Sequence, residues 1–74
     1  MIEAGMDETL VGKVGRVTGR VAAGTVGEVM LPVRGGSEAF YAYPADAAEA
    51  IQPGARVVVV EHEPPRTVIV SRFD

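Results

Sequence analysis

The stretch TVGEVMLPVRGGSEAFYAY, Thr25 to Tyr43, carries two alternating runs joined by a glycine pair. In the first run Val29, Leu31 and Val33 fall on one face, and Glu28, Met30, Pro32 and Arg34 on the other. Strict alternation of this kind is the mark of a half-buried strand, because successive side chains point to opposite sides. Gly35-Gly36 reads as the hairpin turn, since glycine takes positive φ without steric cost. The second run, Ser37 to Tyr43, places Phe40 and Ala42 together and Tyr41 and Tyr43 opposite. Phenylalanine has no polar group to keep wet, so it is assigned inward and the tyrosines outward. Pro32 lacks an N–H and suits a sheet edge or bulge.

Outward from this hairpin the pattern repeats. Leu10 to Ala22 is valine-rich, and β-branched residues favour strands. Within it Val17 and Val21 share a parity with Gly15 and Gly19, whereas Val14 does not. A change of phase beside glycine suits a β-bulge, which lets a long strand bend around a small barrel. Ala23-Gly24 reads as the following turn. Toward the carboxy terminus, Ala55 to Glu61 sets Val57 and Val59 inward with Arg56 and Val58 outward, and Arg66 to Arg72 sets Val68 and Val70 inward. Pro64-Pro65 forces the connection between them. Pro44 to Gln52 departs from the valine pattern with four alanines, and Pro44 suits a helix start. A short helical turn is expected there, pressing Ala48 and Ile51 onto the barrel mouth. Residues 1–9 have no period and read as a disordered lead. The fold class is therefore all-β: a five-stranded OB-fold barrel over residues 10–74, with a short helical turn between strands three and four, and an SH3-like barrel as the structural alternative.

Size and charge narrow the function. A chain of 74 residues buries only about 60% of its unfolded surface, so it holds one small domain. There is no cysteine, which removes disulfide and thiolate chemistry. The net charge is −3, yet Glu3, Asp7 and Glu8 all lie in the lead, and without them seven acidic side chains face seven basic ones. No basic surplus exists to draw a polyanion, so a nucleic-acid partner is not expected. The longest aliphatic run, Val57 to Val60, is too short to cross a bilayer.

Catalytic patterns fail one by one. Ser37, Ser71 and His62 stand in no recognisable nucleophile motif. The GKVGRVTG segment lacks the Lys-Ser/Thr ending of a phosphate loop. His62 lies between Glu61 and Glu63, but neighbouring strand residues point to opposite faces and do not converge on a metal. Asp46 and Glu49 read as solvated charges at the expected helical turn. Lys13, Arg16 and Arg20 read as a solvated strand face. No enzyme, metal or cofactor is expected. What remains is an apolar strip in which Tyr41 and Tyr43 would lie beside Met30 and Pro32 on the outer wall, on the face where OB-folds bind. Those four residues are the candidate partner surface.

The strings LVGKVGRVT (Leu10 to Thr18), GEV (Gly27 to Val29), EAFYA (Glu38 to Ala42), IQPGARVVVVE (Ile51 to Glu61) and TVIV (Thr67 to Val70) resemble the carboxy-terminal domain of NfeD-like proteins. The resemblance implies an OB-fold attached to transmembrane helices absent from this chain, and the domain is expected on the cytoplasmic side of the cell membrane. It also implies flotillin- or stomatin-like SPFH proteins as partners. The family places no catalytic residue in this domain, so none carries over. The aromatic trio Phe40, Tyr41 and Tyr43 departs from a family pattern with a single aromatic. The reading from another class is a nucleic-acid-binding OB module, which needs a basic groove with stacking aromatics.

Overall fold

The computed structural model describes residues 9–73. Five strands form a closed barrel in the order β1-β2-β3-β5-β4: β1 (Val14–Gly19), β2 (Gly27–Val33), β3 (Gly36–Pro44), β4 (Arg56–Glu63) and β5 (Thr67–Arg72). Neighbours are antiparallel except β3 and β5, which run parallel. Closure leaves no long strand edge unpaired, an economical solution for a chain with so little core.

The interior is wholly aliphatic apart from Phe40. Val17, Val29, Leu31, Ala42, Val57, Val59, Val68 and Val70 fill it, and the residues assigned inward in β2 to β5 are buried apart from Val33. Val33 is half-buried at the end of β2. Leu10 closes the barrel near the β2–β3 and β4–β5 hairpins. Ile51 closes the other end, where it bridges Val21. No polar or charged side chain is buried among the described residues.

Gly15 and Gly27 act by having no side chain. A Cβ on Gly15 would run into the carbonyl oxygen of Met30, and one on Gly27 would lie 2.7 Å from the carbonyl oxygen of Arg20. These are close approaches of backbone to backbone where strands wrap tightly. The pairing of β1 with β2 shifts between Val17 and Gly19, beyond the Val14-to-Val17 phase change read in the sequence. A second shift, between Val59 and Glu61, leaves Val60 outside the ladder and exposed. Pro32 sits in β2 beyond the reach of β1, whose pairing with β2 ends at Met30, and its missing N–H is not needed on that side.

Three expectations change. No helix forms between β3 and β4. The backbone N–H of Glu49 does bond the carbonyl of Asp46, and the Asp46 side chain accepts from Ala48 N–H, but this is a single turn. The reason is anchorage on both sides. Ala45 N–H is tied to Val70, and Ile51 exchanges bonds with Val21 in both directions, so too few residues remain to propagate a helix. Ile51 is buried as expected, whereas Ala48 is exposed. The hairpin turn falls at Arg34-Gly35, with φ of 51° and 84°, and Gly36 already belongs to β3. Both central residues at positive φ is the geometry whose twist matches the strands, and Arg34 adopts it despite its Cβ. The first strand is also shorter than Leu10 to Ala22, with isolated bridges at Val21 and Ala22 beyond it. The expected lead lies, apart from Thr9, outside the described residues.

Candidate functional site

The four residues of the expected strip all stand on the outer wall. Tyr41 is 56% exposed and Tyr43 37%; Pro32 is exposed and Met30 half-buried. The register decides which of them meet. Met30 is opposite Ala39, Pro32 opposite Ser37, and Tyr41 opposite Glu28. Tyr43 lies past the end of β2 and instead neighbours Ile69 on the parallel strand β5. The strip is therefore divided in two.

Met30 and Pro32 line a shallow groove of about 370 Å³ across β1, β2 and β4, with Val14, Ser37, Arg16 and Arg56. Within it, Arg16 is the direct cross-strand partner of both Met30 and Arg56. Each arginine is held in place. Arg16 Nη1 donates to the Gly54 carbonyl at 3.0 Å, and the Arg56 guanidinium lies 5.2 Å from the centre of the Phe73 ring. Tyr41 borders a smaller depression of about 140 Å³ with Glu28, Ala39, Phe40 and Arg66. Glu28 separates the two areas, and its carboxylate accepts a 2.7 Å hydrogen bond from the Thr18 hydroxyl.

A third hollow lies at the barrel end closed by Leu10, where Val33, Arg34, Glu38, Phe40, Pro65 and Arg66 meet. Arg66 spans it. Its guanidinium stands 5.0 Å from the Phe40 ring centre and donates to Glu38 at 2.9 Å. This arginine therefore covers the face of Phe40, the one aromatic core residue among the described residues, a contribution of roughly 0.5–1 kcal/mol at an exposed site.

Two further polar contacts brace the loops. Glu49 pairs with Arg72 at 3.5 Å, across the single turn that replaces the expected helix. His62 Nε2 lies 3.3 Å from the Pro65 carbonyl oxygen within the β4–β5 hairpin, beside the cis Pro64-Pro65 bond. No three His, Cys, Asp or Glu side chains converge among the described residues. The arginine pair in the groove is what the strand-by-strand reading missed. Alternation put Arg56 outward, and Arg16 stood in a basic run, but only the β1–β4 seam shows that they face each other.

An aliphatic-filled, five-stranded closed barrel with its arginines and tyrosines on the outside defines a small β-barrel domain. Residues 14–71 match the NfeD C-terminal domain family, and the chain belongs to it. Among solved structures it is similar to the soluble domain of a membrane protein implicated in regulation of membrane protease activity from Corynebacterium glutamicum. The two are 31% identical with a TM-score of 0.71, over 82% of this chain and 87% of that one. Comparison with curated proteins gives no match.

Proposed function

We propose that this domain is a non-catalytic protein–protein interaction module of an NfeD-like, membrane-anchored protein, working beside flotillin- or stomatin-like SPFH proteins in membrane organisation. The observation that carries the reading is the division of chemistry between inside and outside. The barrel is filled with aliphatic side chains, while Met30, Pro32, Tyr41 and Tyr43 stand on its wall. Tyrosine and methionine are enriched in interfaces relative to the rest of a protein surface. The strand order β1-β2-β3-β5-β4, with β3 and β5 as the one parallel pair, supports assigning the barrel to the OB-fold, a scaffold whose outer strands bind partners.

The membrane context comes from likeness. The C. glutamicum neighbour is described as the soluble domain of a membrane protein, and this domain takes the same place in our reading, tethered on the cytoplasmic side by segments outside this chain. Tethering compensates for a weak contact by raising the local concentration of two partners on one bilayer. The test is a pull-down from detergent-solubilised native membranes with the full-length protein as bait, and the soluble fraction as the parallel sample. Recovery of an SPFH protein from the membrane sample supports the reading. A native protein confined to the soluble fraction, with no SPFH protein recovered, refutes it.

A further inference from the structure

We infer that the groove around Arg16 and Arg56 docks an acidic, extended peptide segment of a protein partner, its carboxylates on the two guanidiniums and an apolar side chain against Met30 and Pro32. The inference rests on the protein-interaction reading above and names the chemistry of the partner at that surface.

Charge is the first argument. Arg16 and Arg56 are directly opposed across the β1–β4 seam, and like charges so placed destabilise a sheet. Elsewhere on the barrel the chain supplies its own counter-charges: Arg66 meets Glu38, and Arg72 meets Glu49. Among the described residues no carboxylate pairs with Arg16 or Arg56, and none lines their groove. An external carboxylate would relieve the repulsion and accept paired N–H donors, the arrangement for which arginine is suited.

Geometry is the second. The Gly54 carbonyl holds one guanidinium and the Phe73 ring sits beneath the other, so less side-chain freedom is lost when an anion arrives. Met30 adjoins Arg16 directly, which puts an apolar surface within one side chain of the charge. Glu28, two residues before Met30 on the same wall, is fixed by Thr18 and repels acid at that side. A bound segment is thereby oriented, with acid toward β4 and apolar groups toward β2. Nucleic acid fits less well. Among the described residues no aromatic side chain lines the groove, so bases have no platform to stack on, and two cations neutralise few phosphates.

The test is a titration of the 74-residue chain followed by proton–nitrogen correlation NMR. The probes are a capped peptide of alternating Glu and Leu, the same peptide with Gln for Glu, oligo-thymidine, and phosphatidylserine vesicles. The acidic peptide should shift the amides of Val14, Arg16, Met30, Ser37 and Arg56. The Gln peptide should leave them in place. R16Q/R56Q, whose well-dispersed spectrum would show an intact fold, should weaken the acidic peptide about tenfold or more. Shifts centred instead on Tyr41 and Tyr43 would overturn the inference, as would none up to ~1 mM peptide. Stronger perturbation of the same amides by oligo-thymidine or vesicles would overturn it too. Failure here is separable from failure of the proposed function. Undiminished recovery of an SPFH protein by full-length R16Q/R56Q would discard the groove and keep the interaction reading. If the unaltered bait recovers none, the interaction reading falls, and the NMR titration still reports on the groove.

Discussion

Gly15→Ala should be among the most damaging single-methyl additions this domain can receive. The added carbon would overlap the carbonyl oxygen of Met30 and stand 2.6 Å from Cδ2 of Leu31, where carbon atoms pack comfortably at about 3.5–4.0 Å. Neither neighbour has room to withdraw. The Met30 oxygen is backbone in β2, and Leu31 is fully buried. Strands β1 and β2 must separate locally. Overpacking alone costs about 1–3 kcal/mol, and a lost ladder bond or two adds about 1 kcal/mol each. We expect about 3 kcal/mol in total, which for a domain of this size lowers Tm by roughly 12–24 °C. Gly36→Ala is the control, because its Cβ would meet nothing closer than the Val33 carbonyl oxygen at 3.8 Å; it should stay within about 0.5 kcal/mol of the parent. Urea titration and thermal melts monitored by circular dichroism measure both. If Gly15→Ala costs no more than Gly36→Ala, the tight β1–β2 crossing derived above is wrong.

Three further outcomes are expected. Phe40→Ala should lose about 3 kcal/mol in denaturant titration, whereas Tyr41→Ser and Tyr43→Ser should each lose below about 1 kcal/mol; the reverse ranking would exchange the two faces of β3. Gly35→Ala should destabilise the chain by about 1–2 kcal/mol, since an L side chain is strained at the φ of 84° observed there, and an unchanged urea midpoint would contradict the turn geometry. Single-stranded DNA should bind no more tightly than millimolar at physiological salt, because non-specific affinity is chiefly phosphate neutralisation; a micromolar value by fluorescence anisotropy with a steep salt slope would favour a nucleic-acid module instead.

Much of this fold is legible in the order of the residues, because valine alternation states burial directly. The inward assignments in the strands from Val29 to Val70 rest on a period of two, and all but the half-buried Val33 lie in the interior. Pairing is less legible, and the β2–β3 hairpin shows why. A turn at Gly35-Gly36 would bring Met30 opposite Tyr41. The turn at Arg34-Gly35 brings Met30 opposite Ala39 and Tyr41 opposite Glu28. Moving a two-residue turn by one position changes the register by two, an even step that leaves every side chain on its proper face. Inside and outside were therefore readable while the neighbours across the ladder were not. Local propensity misled in the alanine-rich segment for a different reason. Helix preference in so few residues is weak, and the backbone bonds from Val70 and Val21 outweigh it. The arginine groove belongs to a third class. It exists only where β1 meets β4, two segments separated by about half of the chain, and no local pattern announces such a meeting.

The closed ring also governs how the molecule comes apart. Its closing seams join residues far apart along the chain: Val14 with Val58 between β1 and β4, and Pro44 with Val70 between β3 and β5. Opening either seam bares two strand edges at once and wets the same shared interior, so neither hairpin can loosen while the rest stays whole. Slow hydrogen exchange at Val29, Phe40, Val59 and Val68 should then converge on one free energy, that of global unfolding. Assembly carries the corresponding delay, since loop entropy must be lost before the distant strands reward it. A ligand held on the β1–β4 wall would stabilise every one of those amides together, far from where it touches.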